Sequence, residues 1–177
     1  MTDGRDSPPG VRLLDATPAE AERMLARTRE RGLAALTGAG IAEAEGREMI
    51  ERQHAKLLPD GVATPGHRFV WIGTPAGERI GETWFGPLYG SATDWYVFDI
   101  ELDETHRGRG LGQATMVAIA AACRAEGARR LGLSVATDNE RAVAAYRAVG
   151  FVTTREDASS AEMWLDDLSS PAPPPAG

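Results

Sequence analysis

A chain of 177 residues with 42% hydrophobic and 25% charged residues has the composition of one compact globular domain. Its formal net charge of −7 opposes the generic attraction to phosphate backbones, so nucleic acid is not an expected partner. The sequence has no run of roughly 20 apolar residues and no apolar core of a secretory signal near its start, which predicts a cytoplasmic protein with no membrane partner.

Cysteine and histidine are too sparse to suggest a metal centre. Cys123 is the single cysteine, which excludes an internal disulfide and a cluster of thiolate ligands. His54 and His67 have no partner at the spacing of a metal site. We therefore expect no metal cofactor.

Both ends of the sequence read as tails around one folded unit. Residues 1–10 are polar with paired prolines, and residues 169–177 are rich in proline and alanine, so both are predicted to be disordered. The folded domain is expected over residues 11–168.

The first part of the domain predicts one strand and two helices. Residues 11–14 form a short apolar strand, and Thr17, Pro18 and Glu20 have the spacing of an N-cap, a first-turn proline and a capping box. A second helical stripe ends before residues 59–61, which read Pro-Asp-Gly. Several arginines of the first helix are interpreted as a solvated face: Arg23, Arg27, Arg29 and Arg31.

The remaining sequence alternates strands with two helices. Residues 67–72, 79–85 and 95–102 are rich in aromatic and β-branched side chains and predict three consecutive antiparallel strands. The expected elements that follow are a helix from 111 to about 126, a strand over 130–135, a helix over 139–149, and closing strands at 151–155 and 163–165.

The run RGRGLG, residues 107–112, links the third of these strands to a helix. Glycines allow consecutive backbone N–H groups to converge on an anion, and the helix dipole adds partial positive charge. The run lacks the Gly-Lys-Ser/Thr of a nucleotide P-loop and the third glycine of a dinucleotide fingerprint. It predicts a pyrophosphate site, although a tight structural turn would also explain it.

A second segment makes the pattern specific. Residues 133–135 form a strand, and Asn139 and Tyr146 follow it ahead of a Gly-Phe pair at 150–151. Together the two segments resemble the GNAT superfamily of acyl-CoA-dependent N-acyltransferases. The resemblance covers residues 95–151 closely. It implies an α/β (α+β) fold with a mixed, mostly antiparallel sheet of about six to seven strands flanked by about four helices.

The resemblance also implies acetyl-CoA as cosubstrate. Backbone groups of residues 100–102 would pair with the pantetheine arm, and N–H groups of residues 108–113 would hold the pyrophosphate. Asn139 would contact the cofactor, and it also suits the start of a helix. The matching positions are Ile100, Glu101, Leu102, Arg107, Gly108, Arg109, Gly110, Leu111, Gly112, Gln113, Asn139 and Tyr146.

The implied reaction is acetyl transfer to a primary amine by direct attack in a ternary complex. Tyr146 matches the residue that protonates the leaving thiolate, whereas Ser134 stands where relatives that acetylate protein N termini often have a glutamate. If strand pairing is regular, Asp99 and Glu101 share one face, and Phe98 lies on the other. We predict Glu101 as the base; the alternative is that both carboxylates only solvate the cleft.

The acceptor is expected to be a small-molecule or peptide amine. Glu82, Trp84 and Asp99 are predicted to line its cleft, and Glu82 and Asp94 to add negative potential that attracts a cationic amine. A noncatalytic acyl-CoA-binding sensor is the competing hypothesis. The number of subunits is open, and a homodimer is among the assemblies considered.

Overall fold

A computed structural model describes residues 10–168, so the predicted tails lie outside the described residues except for Gly10. The strands are β1 (Arg12–Asp15), β2 (Arg68–Gly73), β3 (Arg79–Pro87), β4 (Asp94–Leu102), β5 (Arg130–Ala136), β6 (Val152–Glu156) and β7 (Ser160–Leu165). The helices are α1 (Pro18–Gly38), α2 (Glu43–Leu57), α3 (Leu111–Ala125) and α4 (Glu140–Val149).

The seven strands form one sheet in the order β1-β2-β3-β4-β5-β7-β6. Only β4 and β5 run parallel among the pairs of described strands, since the other neighbours are antiparallel. This confirms the expected mixed, mostly antiparallel sheet with four helices.

The parallel pair of strands separates half-way along β4. Its pairing runs from Asp94 with Arg130 to Val97 with Leu133 and ends there. The second half of β4 therefore leaves its β5-facing backbone groups free of that ladder. We call this space the β4–β5 gap.

Helices cover the sheet on both faces. Met116 and Ile119 of α3 and Tyr146 and Val149 of α4 pack with strand residues in the largest apolar cluster. Helices α1 and α2 pack on the opposite face, where Met24, Leu25 and Leu57 surround Phe69 and Trp84. The β4–β5 gap thus connects two differently covered faces of the sheet.

Helix α1 begins as its sequence predicts. Thr17 Oγ1 accepts a hydrogen bond from the Glu20 N–H at 3.3 Å, and Glu20 accepts one from the Thr17 N–H at 2.9 Å, with Pro18 in the first turn. This is a complete capping box. Glu20 has its pKa lowered to about 2, first by the Thr17 backbone N–H and next by Arg79.

A β-bulge in β4 corrects one predicted orientation. Trp84 pairs with Asp99 and Phe85 with Val97, so Phe98 is an extra residue between them. Phe98 stacks on Trp84, with ring centroids 4.5 Å apart, on the α1–α2 side of the sheet. The prediction that Phe98 faces away from Asp99 is therefore wrong, because the bulge interrupts strict alternation.

Candidate active site

The glycine-rich run forms a turn whose backbone suits an anion. Gly108 and Gly110 have φ values of 79° and 73°, a left-handed conformation that favours glycine. Gly110 caps α3, and no side chain accepts a hydrogen bond at this cap. The first-turn N–H groups of a 15-residue helix are thus available to a ligand.

A cavity of about 590 Å³ adjoins this turn and the second half of β4. It is lined by most of the predicted cofactor positions: Ile100, Glu101, Leu102, Arg107, Gly108, Gly110, Gly112, Gln113, Asn139 and Tyr146. Leu111 packs instead in an apolar cluster with Ile72 and Ile80, and Arg109 is exposed. The fold therefore gathers residues that lie up to 46 positions apart in sequence around one space.

Tyr146 brings a buried phenol to this cavity. The residue is 7% exposed, and burial, followed by the nearby charge of Glu101, raises the pKa of its hydroxyl to about 12. The phenol therefore keeps its proton at neutral pH, which is the form that a proton donor needs.

The predicted base, Glu101, has a partner that the sequence did not indicate. The Arg107 guanidinium pairs with the Glu101 carboxylate, and Arg107 Nε donates to the Leu102 carbonyl oxygen at 2.9 Å. Arg107 thus braces β4 as well as opening the glycine turn. Glu101 remains 41% exposed in its side chain and lines the cavity.

The stretch of the chain that contains the glycine turn and Tyr146 matches a known protein family. The model of the acetyltransferase (GNAT) family matches residues 34–151, more than half of the chain. This chain belongs to the GNAT family. It is accordingly an acyltransferase of the N-acetyltransferase type.

Individual relatives support this assignment. The chain is similar to the uncharacterized N-acetyltransferase YdgE of Bacillus subtilis (strain 168), with 31% identity over 121 residues, 67% of this chain and 76% of YdgE. The crystal structure of YycN from Bacillus subtilis shares the fold with a TM-score of 0.71 and 23% identity, covering 83% of this chain and 95% of YycN.

A third similar structure contains ligands. Spermidine N-acetyltransferase from Vibrio cholerae in complex with CoA and spermine has a TM-score of 0.62 and 14% identity, covering 89% of this chain and 95% of that one. At this identity the likeness shows the fold alone.

Two residues of this GNAT protein acquire clearer roles from helix α4. The Asn139 side chain accepts a hydrogen bond from the Ala142 N–H at 3.2 Å, so it caps the helix while it lines the cavity. Arg141 also lines the cavity, and a Cβ added at Gly108 would lie 3.1 Å from its Nη1. Arg141 was not predicted as a site residue; the one feature of the sequence that could have indicated it is a positive charge two positions after Asn139.

The acidic residues on β3 and β4 are held by helix α1. Arg27 Nε donates to Glu82 at 3.0 Å, and Arg31 pairs with both Glu82 and Asp99. Thr28 donates a further hydrogen bond to Asp99 at 2.9 Å. The solvated-face interpretation is therefore wrong for Arg27 and Arg31, which bind carboxylates of the sheet.

This ion-pair network also changes the expected electrostatics of the cleft. Glu82 is only 7% exposed and is compensated by two guanidinium groups. Asp94 lies at the opposite end of β4 beside Arg130, seven residues before Glu101 and so roughly 23 Å along the strand. The prediction that Glu82 and Asp94 together draw a cation to one region is therefore wrong.

Trp84 lines a second, smaller cavity. This space of about 330 Å³ lies under α1 and α2, and Trp84, Phe98 and Asp99 are among its lining residues. Trp84 Nε1 donates to His67 Nδ1 at 3.0 Å, and His54 contacts the same indole edge-on at 5.3 Å. The cavity adjoins β4 from the face opposite Tyr146.

Both imidazoles next to Trp84 are held in the neutral form. Burial lowers the pKa of His67 to about 4, and burial together with the Arg29 charge lowers that of His54 to about 4. Arg29 Nε donates to His54 Nδ1 at 3.3 Å, which requires that nitrogen to be unprotonated. Within residues 10–168, no three His, Cys, Asp or Glu side chains are grouped as metal ligands.

The helices of the described residues include none with the length and apolarity required to cross a bilayer.

Proposed function

We propose that this chain transfers the acetyl group of acetyl-CoA to a primary amine by direct attack within a ternary complex. One observation carries the proposal: a single cavity joins the glycine turn, the unpaired half of β4 and the Tyr146 phenol. These are an anion site, a row of backbone hydrogen-bonding groups and a proton donor. Acyl transfer from a CoA thioester uses all three.

Coenzyme A fits the chemistry of the cavity lining. The N–H groups of residues 108–113 would hold the pyrophosphate, with the Arg141 guanidinium nearby as a counter-charge. Backbone groups of residues 100–102 would pair with the amides of the pantetheine arm, and Asn139 would add a polar contact. Acetyl-CoA supplies the activated acyl group.

The proposed reaction assigns each proton to a residue. A backbone N–H of β4 near Leu102 polarises the thioester carbonyl, and the amine nitrogen attacks its carbon. The new C–N bond forms as the C–S bond breaks, and Tyr146 gives its proton to the departing sulfur. Glu101, directly or through water, accepts the proton that the amine loses.

The position of the cysteine supports direct attack over an acyl-enzyme intermediate. Cys123 is fully buried in the α3 core and is not among the residues that line the cavity. Burial raises the pKa of its thiol to about 12, so the nucleophilic thiolate is not formed at neutral pH.

The ligands of one structural neighbour agree with the proposed ligand classes. The Vibrio cholerae enzyme is a complex with CoA and spermine, that is, with an acyl carrier and an amine. We propose the same two classes for this chain, with a small-molecule or peptide amine as acceptor. Trp84 and Asp99 line the cavity under α1 and α2 and remain proposed contacts of that acceptor. Glu82 does not line this cavity but pairs with Arg31, which does, and it also remains a proposed contact.

The proposal is tested by following free thiol during incubation with acetyl-CoA and a panel of primary amines. We expect thiol release that depends on the added amine, and an N-acetylated product by mass spectrometry. Saturable binding of acetyl-CoA without amine-dependent release would contradict the proposal and indicate a noncatalytic sensor.

A further inference from the structure

Glu162 on β7 lies on the face of the sheet opposite the α3–α4 core, one strand from β5. Leu133 and Met163 point into the α3–α4 core, so their neighbours Ser134 and Glu162 project to the opposite face. Ser134 and Glu162 are direct partners in the β5–β7 ladder. Ser134 is exposed and small, which leaves room beside the Glu162 side chain.

Ser134 marks the point where the gap opens. Val97 with Leu133 is the last pair of the parallel ladder, and Ser134 is the next residue on β5. Glu162 therefore lies one strand from Ser134, about 5 Å away in strand spacing. The cofactor cavity reaches the same gap from the other face, through Ile100 and Tyr146.

Aromatic side chains line the route along this face. Tyr96 contacts Trp164 edge-on at 6.0 Å and Phe98 at 5.4 Å, so the three rings form a continuous wall. A Cβ added at Gly132 would meet Tyr96 and Trp164 at 2.7 and 2.8 Å, which places both rings over β5. Phe98 lies two residues after Tyr96 on the same face and extends this wall beyond the last β4–β5 pair.

Glu162 has weaker partners than the other acidic residues near the gap. Trp164 Nε1 donates to its carboxylate at 3.3 Å, and Arg155, whose side chain is 81% exposed, lies 3.8 Å away. Burial is the main reason why the pKa of Tyr96 is raised to about 12, and the negative charge of Glu162 is the second. Glu82, Asp99 and Glu101, in contrast, are each held by a closer arginine contact.

We propose that Glu162 binds the acceptor as an alkylammonium ion at the apex of the gap, with Tyr96 and Phe98 receiving its carbon chain. The carboxylate provides the counter-charge, and the aromatic faces attract both the methylene groups and the cation. The acceptor class is thus aliphatic amines that are protonated at neutral pH. The bound ammonium gives one proton to water and attacks as the neutral amine, and Glu101 accepts the second proton that the nitrogen loses. This inference rests on the proposed acetyl transfer and adds the residue that selects the acceptor.

The test separates acceptor binding from chemistry by steady-state kinetics with an alkylamine. Glu162→Gln should raise the KM for the amine by about 10- to 100-fold, because a charged hydrogen-bond acceptor is lost. The kcat and the KM for acetyl-CoA should change by less than about threefold. Glu156→Gln, an exposed carboxylate on β6, is the matched control and should leave all three constants unchanged.

A second variant distinguishes binding from a structural role. Ser134→Glu in the Glu162→Gln background returns a carboxylate to the direct partner position across the ladder. The double variant should reverse at least half of the increase in log KM for the amine. An amine KM that Glu162→Gln leaves unchanged would overturn the inference, as would a loss shared by all three constants without recovery in the double variant.

A comparison of charged and neutral acceptors tests the inference independently. An arylamine that is neutral at the assay pH should be a poor acceptor for the wild type and should lose little further in Glu162→Gln. Equal losses for the neutral and charged acceptors would contradict recognition by charge. If the wild type releases no thiol with any amine, the proposed function itself fails, which is a different outcome from an active enzyme indifferent to Glu162.

Discussion

The Tyr146 hydroxyl is the single atom on which the proposed leaving-group chemistry depends. Because Phe fills the same volume in a site that is 7% exposed, Tyr146→Phe removes the proton donor with little change in packing. We expect kcat to fall by about 100-fold, which is typical of the loss of a general acid. Amine-dependent thiol release under saturating substrates measures this change.

Cofactor affinity provides the control for that variant. The hydroxyl is proposed to act on the leaving sulfur, so titration calorimetry should find the affinity for coenzyme A within about twofold of wild type. Undiminished kcat in Tyr146→Phe would remove the assigned acid.

The positions of single residues could be predicted from the sequence where they belong to a short motif. Tyr146 and Asn139 follow from a short motif, and both line the cavity as expected. Arg31 was interpreted as part of a solvated face and Arg141 was not singled out, because a long cationic side chain finds its partner only after distant elements dock. The sequence likewise could not show that Arg107 pairs with Glu101, since the turn between them sets that contact.

At the level of elements, the turn before α3 should depend on left-handed backbone conformation. Gly110 has a φ of 73°, so Gly110→Ala introduces strain of about 1 kcal/mol and a Cβ beside the cavity. We expect the Kd for coenzyme A, measured by calorimetry, to rise by about tenfold or more.

Gly127→Ala is the matched control for that turn. Gly127 has a φ of 92° at the far end of α3, and an added Cβ would meet no atom within 4 Å. It should lower the Tm to a similar extent with no effect on the Kd. A Gly110→Ala variant that binds coenzyme A as tightly as Gly127→Ala would speak against an anion site in the turn.

Helix α1 should depend on its arginine contacts for docking onto β3 and β4. Arg31→Leu leaves Asp99 and Glu82 with one fewer partner each, in side chains that are 16% and 9% exposed. Because Arg31 itself is 34% exposed, solvent screens part of the loss, and we expect about 1–2 kcal/mol in the free energy of unfolding.

Denaturant unfolding of Arg31→Leu beside Arg52→Leu measures this contribution. Arg52 pairs with Glu48 at 3.4 Å, but both side chains are more than 60% exposed, so Arg52→Leu should cost under about 0.5 kcal/mol. Equal effects of the two substitutions would show that the contacts to Glu82 and Asp99 do not hold the helix.

The elements themselves could largely be predicted, whereas their registers could not. The capping box at Thr17 marks the start of α1, and alternating aromatic residues mark β4. The bulge at Phe98 has no local signal, because it depends on how β4 aligns with β3, which lies elsewhere in the sequence. That alignment places Asp99 on the same face as Phe98, whereas strict alternation would separate them.

Across the whole molecule, the buried imidazoles should make stability depend on pH. The pKa of His54 and of His67 is lowered to about 4 in the folded state, against an ordinary value of 6.5. Between these values the unfolded chain binds more protons, so stability is full above about pH 6.5 and is lost as the pH falls towards 4.

Denaturant unfolding at pH 7 and pH 5 measures this dependence. We expect a loss of about 1–2 kcal/mol on acidification from each imidazole, because the two pKa values are lowered to the same extent. His54→Gln should reduce the difference between the free energies of unfolding measured at the two pH values. An unchanged pH dependence in His54→Gln would contradict the neutral, buried imidazole.

The overall fold was predictable because the periodicity of apolar residues and the two motif segments, residues 107–112 and 133–151, indicated the same order of strands and helices. The cavity was predictable in part, since the glycine turn and Tyr146 flank it, but its far side was not. Glu162 lies on the opposite face of the sheet, and its place there depends on the strand order β5-β7-β6, in which the last strand inserts between two earlier ones. Nothing in the sequence near Glu162 specifies that insertion.

Amide hydrogen exchange with and without coenzyme A tests the central claim most directly, because the claim concerns the main-chain N–H groups of residues 108–113. The account predicts that saturating coenzyme A slows exchange in the peptide covering this turn and the first turn of α3, with exchange in α2 unchanged. Saturable binding that leaves exchange in residues 108–113 unaltered would contradict it.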